Sequence, residues 1–458
     1  MNLKESRIPL LHGGRSETSP QPAAVQSYSM IYLVLAMLIL VPVLTGHPLL
    51  TGIGKVLVFD ILGSLLLAAA IMQADFGDVR KIGKALTAGP NLPITLLVSV
   101  CLFSYFTAAY KNFAMAEALR YGFCALAYAA VMTSAQRKLP VMLWGILFVG
   151  TAVSVIGLTT MGTGNYNEAD GVTGSFGTHE QLGSFLMLCL PMAVAIGLFY
   201  KEDSRLSTTA LVASLAIAAC LLVARCRSAW ISEVVALAVF AALSIRYYLD
   251  KKQLARQKYL IVAPILLLIV CGAYFVTSSR SGDDLRTRAA SLQGLSADHS
   301  VGIRRQMWRD ALKMIADKPV FGHGIGQYPL ASTRYGTTGQ PKEYIFTHVA
   351  DLRNNAHSYY LQMIAEIGLL GFGCYAAAVI GFFIAGIREM GRMQPGLRKT
   401  ALLGAVAGMA GQVVDAAASP SYVFASVSLM QWVLMGIGML AIGLPARWRD
   451  GKERRSIA

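Results

Sequence analysis

Long apolar runs dominate the chain, and about twelve of them approach the ~20 residues that a membrane-crossing helix needs. They lie near Ser29–Thr45, Ile53–Met72, Leu92–Tyr110, Phe113–Ser134, Val141–Thr160, Gln181–Tyr200, Thr208–Ala224, Ala229–Tyr247, Tyr259–Val276, Tyr360–Ala385, Thr400–Ala416 and Phe424–Gly443. A length of 458 residues could hold three soluble domains, but only 14% of the residues are charged, against about 25% in soluble domains. The fold class is therefore all-α, a polytopic membrane protein. The first run lacks a small-x-small cleavage site, so it is read as a first spanning helix behind a polar tail.

A net charge of +15 suggests a nucleic-acid binder until the basic residues are located. They fill short gaps between apolar runs, where Lys and Arg hold loops in the cytoplasm, so no nucleic-acid partner is expected. About 24 of them fall on one side if every run spans: Lys4 to Arg15, Arg80 to Lys84, Arg137/Lys138, Lys201/Arg205, Arg246 to Lys258, Arg388 to Lys399 and the Arg447–Arg455 tail. Short loops on the other side carry about four, counting Lys55 and Lys111. Both termini are thus predicted to be cytoplasmic, and the segment from Thr277 to Asn355 to lie outside. Cysteine labelling at Ser332 from the outer side would test this orientation. The expected organisation is a cytoplasmic tail over residues 1–27, helices one to nine over 28–277, a large outer loop over 278–357, helices ten to twelve over 358–445, and a tail over 446–458. The cysteines show no CxxC metal or redox pattern and read as small core residues.

The outer loop has a pattern of its own. Apolar residues recur at Ile303, Met307, Trp308, Ala311, Leu312 and Ile315 with helical spacing, and Pro319 ends the pattern. An amphipathic helix opened by Arg304 and Arg305 is predicted, lying at the outer membrane surface. Gly322-His323-Gly324-Ile325-Gly326 reads as a flexible turn; no Gly-Lys-Ser/Thr follows, so it is not a phosphate loop.

Arg225 and Arg227 depart from the charge rule at a tight outer turn, and Arg304 and Arg305 join them on that side. Guanidinium groups offer paired, permanently charged donors suited to phosphate oxygens, and a cluster of them can stabilise a departing lipid diphosphate. The plainer alternative is interfacial snorkelling or headgroup binding. His357, in Asn354-Asn355-Ala356-His357-Ser358-Tyr359-Tyr360, is the side-chain type most readily poised to accept a proton, although a histidine at a helix start is more often a structural hydrogen-bonder. His323 is a second candidate. His179, Glu180 and Gln181 form a polar knot at the start of the sixth run, too thin a ligand set for a metal site, and no metal or other cofactor is assigned. Glu117 and Arg120 are placed to pair within one helix, whereas Glu233, Glu366 and Asp415 are membrane carboxylates of the kind that ion-coupled transporters use.

Several of these segments together resemble one family. Arg304-Arg305-Gln306-Met307-Trp308, Lys318-Pro319-Val320-Phe321-Gly322-His323-Gly324-Ile325-Gly326-Gln327-Tyr328, Asn355-Ala356-His357-Ser358-Tyr359-Tyr360-Leu361-Gln362 and Ala365-Glu366-Ile367-Gly368-Leu369-Leu370-Gly371 resemble the loop signature of the O-antigen ligase/polymerase superfamily. Cys226-Arg227-Ser228-Ala229-Trp230 resembles its Ser-Arg-small-small element, with Cys226 standing for the serine, and Gly177-Thr178-His179-Glu180-Gln181-Leu182-Gly183 its polar turn. The resemblance covers residues 170–385 and is nearest to the lipid A-core O-antigen ligases. It implies about 12 transmembrane helices, one large, partly helical periplasmic loop, and a bacterial inner-membrane glycosyltransferase that needs no metal. The implied donor is an undecaprenyl-diphosphate-linked glycan and the implied acceptor a lipid A-core sugar hydroxyl, among membrane lipids. Carried over by motif, Arg227 and Arg304 grip the diphosphate, Arg225 and Arg305 support them, and His357 deprotonates or orients the acceptor. Rival readings are an O-antigen or exopolysaccharide polymerase, a protein O-oligosaccharyltransferase, and a glycolipid transporter.

Overall fold

The computed structural model describes residues 22–43, 48–73, 91–161, 171–248, 299–335 and 355–443. Every expected apolar run within these residues is a helix; the ninth run, Tyr259–Val276, lies outside them, as do most of both tails and much of the large loop. The helices are α1 (Pro22–Val43), α2 (Pro48–Gln73), α3 (Asn91–Thr107), α4 (Lys111–Thr133), α5 (Leu139–Thr160), α6 (His179–Phe199), α7 (Ser204–Val223), α8 (Arg227–Tyr247), α9 (His299–Asp317), α10 (Tyr359–Met390), α11 (Leu397–Ala418) and α12 (Ala425–Ile442). Among the described residues, eight helices are long and apolar enough to cross a membrane. Side chains mark where several begin: Thr178 caps α6, Asp203 caps α7 and Ser358 caps α10 by accepting from first-turn backbone N–H groups.

Helices α6, α11 and α12 form the centre and are enclosed by their neighbours, α11 packing on both α6 and α8. Small residues let them approach: a Cβ on Gly404 would lie 2.7 Å from the Met192 backbone. Large apolar side chains on the outer helices face away from the protein, among them Leu57, Ile61, Phe148, Val212, Ile231 and Ile384. Outward apolar surface of this extent suits lipid. One buried cation serves packing: Arg120 bonds Glu117 at 2.9 Å, as its spacing predicts, and also donates to the Tyr422 carbonyl at 3.0 Å and Ser428 Oγ at 2.9 Å, joining α4 to α12.

The connections sort to two opposite ends. At one, Lys399 Nζ bonds the Tyr247 carbonyl, Arg398 Nε bonds the Ala441 carbonyl, and Gly396 sits beside Glu202. This end gathers basic connections that the charge pattern groups together. At the other end, Lys55 Nζ bonds the Pro42 and Ser175 carbonyls, and Gln327 exchanges hydrogen bonds with the Tyr110 backbone.

Helix α9 begins at His299, so Arg304 lies in its second turn. Ala311 and Met314 pack against Tyr328, Ala356 and Ala365, while Trp308 and Leu312 remain exposed. The turn that follows is tightly docked. Helix α10 breaks at Gly368 (φ 71°), which removes the bonds Leu369 and Leu370 would make to the carbonyls of Ala365 and Glu366. Instead Leu369 N donates to the Pro319 carbonyl at 2.8 Å and Leu370 N to that of Val320 at 3.3 Å. His323 N and Gly324 N donate to the Ala365 and Glu366 carbonyls, both at 2.9 Å. The Glu366 carboxylate accepts from Gly326 N and Tyr328 N, each at 3.1 Å. So the glycine run serves close backbone approach: a Cβ on Gly322 would lie 2.4 Å from the Glu366 carbonyl, and one on Gly368 2.0 Å from that of Val320.

Two experiments test this layout. Ser332 is buried, so labelling is better directed at the exposed Lys318; Lys318→Cys should react from outside, with Ser332→Cys slower. Reaction only after the membrane is opened would reverse the orientation. Gly368→Ala should destabilise the protein by more than about 2 kcal/mol, read as thermal midpoint and protease release of the 319–328 segment. An unchanged midpoint would mean that the docked turn contributes little.

Candidate functional site

The site forms where the starts of α6, α8 and α10 meet α9. A Cβ on Gly183 would lie 2.8 Å from that of Cys226, so α6 and the turn before α8 are in close contact one helical turn from Glu180. That turn holds Arg225 with φ 53°. Val172 N bonds the Val223 carbonyl beside it at 3.3 Å. His357 has φ 45°, and its N–H donates to Asn355 Oδ1 at 2.8 Å. Arg225 and His357 are the only non-glycine residues with positive φ among the described residues. Such conformations cost of order 1–3 kcal/mol and concentrate at functional positions.

Glu180 stands between two of the residues singled out from the sequence. Its Oε1 accepts from Arg304 Nη2 at 2.6 Å, and its Oε2 lies 3.8 Å from His357 Nδ1. The histidine therefore faces a carboxylate without bonding it, and Nδ1 is buried without a hydrogen-bond partner. Burial holds His357 below the ordinary histidine range; Glu180 opposes that shift, while Arg304 and His179 add to it. A neutral imidazole at neutral pH can accept a proton. Arg225 and Arg227 are half-buried in the adjacent turn and engage neighbours of their own. Arg305, about 100° further round α9, is exposed and stands apart from the Glu180 contacts. Glu180 is the central residue that sequence reasoning leaves out of the site, although the polar knot containing it is visible there.

Other candidates have different surroundings. His323 Nε2 lies 3.0 Å from the Met314 carbonyl, 3.4 Å from the Tyr335 hydroxyl and 3.7 Å from Asp317 Oδ2, which ties the end of α9 to the docked turn. Burial, with the Asp415 and Glu180 charges, pushes the Cys226 thiol up to about 12, so it is a poor thiolate nucleophile. Asp415 Oδ2 accepts from Ser184 Oγ at 2.5 Å. Glu233 is buried in α8 and has no hydrogen-bond partner among the described residues.

Fixed cations, a neutral imidazole and a carboxylate at one end of an apolar helical bundle define a membrane protein equipped for acid–base and anion chemistry at its surface. A family model described as O-Antigen ligase matches residues 211–376, which runs from α7 to the middle of α10. The matched stretch is similar to that family and holds the turn before α8, helix α9 and the start of α10. A curated relative from Haemophilus influenzae (strain ATCC 51907 / DSM 11121 / KW20 / Rd), described as an uncharacterized protein, is 24% identical over 202 residues. The match covers 42% of this chain and 47% of the relative, so the chain spans about half the length of that relative.

Arg304→Lys and Arg227→Lys keep the charge and lose the planar fork, so each should lower glycan transfer by roughly two orders of magnitude at normal protein levels. Near-normal transfer by both would return them to interfacial snorkelling. His357→Asn tolerates the left-handed backbone and lacks the imidazole; if that imidazole is the base, the variant should accumulate normally and transfer about 10²–10⁴-fold more slowly. His323→Ala should be the milder variant in rate.

Proposed function

We propose that the protein is an O-antigen ligase of the bacterial inner membrane, with its site facing the periplasm. The donor is an undecaprenyl-diphosphate-linked glycan and the acceptor a sugar hydroxyl of the lipid A core. The acceptor hydroxyl gives its proton to His357 as its oxygen forms a bond to the anomeric carbon. The bond from that carbon to the diphosphate breaks, and the electron pair leaves with the diphosphate. Arg304 and Arg227 stabilise the departing charge, with Arg225 behind them and Arg305 in a peripheral position. No metal takes part in this scheme, because guanidinium groups supply the fixed positive charge. The observation that carries the proposal is the meeting of Arg304 and His357 at one carboxylate, within 2.6 and 3.8 Å respectively.

The deciding experiment supplies purified protein in liposomes with lipid-linked glycan and one of three acceptors: lipid A-core, a Ser/Thr peptide, or none beyond a second donor molecule. Transfer to lipid A-core, persisting in EDTA and without any ion gradient, is the expected result. Chain growth without added acceptor would make it a polymerase, and peptide modification a protein glycosyltransferase. No transfer in any arm, with glycolipid moved across the bilayer, would make it a transporter. The ligase rate should fall on acidification only below the ordinary histidine range, because a depressed pKa keeps the base neutral to lower pH.

A further inference from the structure

Glu180 has no place in the scheme above, yet it contacts both ends of it. Its carboxylate occupies the Arg304 guanidinium at 2.6 Å, the group assigned to the diphosphate, while the buried Nδ1 of His357 waits 3.8 Å away with no hydrogen bond. A carboxylate is the protein's nearest chemical counterpart of a phosphate oxygen, so the two compete for the same planar fork. Closing the gap to His357 needs a shift of about 1 Å, within the reach of a side-chain rotation.

We propose that Glu180 is a positioning residue that couples donor binding to the base: in the empty site it is held by Arg304, and an incoming diphosphate takes over the guanidinium and releases Glu180 to His357. Once released, the carboxylate accepts Nδ1–H. This fixes the imidazole tautomer and leaves Nε2 bare to receive the acceptor's proton, and the charge stabilises the imidazolium that forms. The base is thus armed only when a leaving group is present. The charged groups facing His357 are Glu180 and His179 from α6 and Arg304 from α9, while the turn before α8 brings Arg225 and Arg227 to the same end. Residue 180 is the only one of the three that both opposes the depression of the His357 pKa and bonds the diphosphate-binding arginine.

The inference rests on the proposed roles of His357 and Arg304, and its test separates the two levels. Full-length protein in nanodiscs is titrated with undecaprenyl diphosphate, and transfer is measured against pH for wild type, Glu180→Gln, Arg304→Gln and His357→Ala. Removing the competing charge should make Glu180→Gln bind the diphosphate several-fold more tightly, whereas Arg304→Gln binds it more weakly. The same Glu180→Gln protein should lose at least ten-fold in kcat with its donor KM no higher. Its acid limb should move to lower pH, because the charge that raises the His357 pKa is gone. A carboxylate that merely braces Arg304 predicts the opposite sign of binding, and that result overturns the coupling. An inactive His357→Ala beside a Glu180→Gln protein with wild-type kcat also overturns it, leaving the base assignment intact. A fully active His357→Ala removes the base assignment and the coupling with it.

Discussion

Everything at the site end depends on the exchange of backbone hydrogen bonds across the break in α10. A helix interrupted in or near a bilayer leaves N–H and C=O groups that lipid cannot satisfy. Here both lost helical bonds are replaced by pairs to the 319–324 backbone, so the break and the docked turn exist only together. The consequence is positional. Met314 at the end of α9 packs on the same cluster as Ala356, next to His357, so α9 and the start of α10 are held as one piece. Arg304 and His357 are thereby brought to Glu180 by packing that involves neither of them.

Much of this was legible in the sequence, and what was not shares one physical property. Membrane helices are set by local hydropathy, so the runs along residues 53–72 or 400–416 coincide with helices in the structure. The Glu117–Arg120 pair is equally local. Ala365-Glu366-Ile367-Gly368-Leu369-Leu370 reads as uninterrupted apolar helix, because the break is stabilised by residues some forty-odd positions earlier. Glu180 shows the same limit at longer range: its partner Arg304 is 124 residues away in the chain. The polar knot announces that something at residues 179–181 is unusual, but nothing local says that its carboxylate meets an arginine on α9. Arg304 and Arg305 are told apart in the sequence by motif alone, and the phase of α9 adds a geometric difference, since Arg304 meets Glu180 and Arg305 is exposed.

Among the described residues the buried charges differ in their surroundings, and Glu233 and Asp310 have no hydrogen-bond partner there. Arg120, Glu366 and Asp415 are tied by short bonds to fixed partners, as expected where an unpaired charge costs several kcal/mol. They brace helices, which weakens the case for them as a transport path. The groups at the site are less settled: His357 lacks a bond at Nδ1, its backbone is left-handed, and Arg225 shares that strain. Conformations of this kind persist only where the surroundings over-determine them, and the docked α9–α10 unit supplies such surroundings.

A glycosyl transfer from a lipid diphosphate needs two unlike kinds of charge. The leaving group carries negative charge throughout, so its binding site must be permanently positive, which arginine provides. The attacking hydroxyl needs a group that is empty of its proton before the step and can hold it afterwards, which histidine provides. Placed side by side, the two conflict, because a guanidinium depresses the basicity of a neighbouring imidazole. Glu180 between Arg304 and His357 moderates that conflict: its charge partly cancels the arginine and supports the imidazolium. In the proposed scheme, a single carboxylate at the start of α6 therefore lets a fixed cation and a titratable base work within one small site.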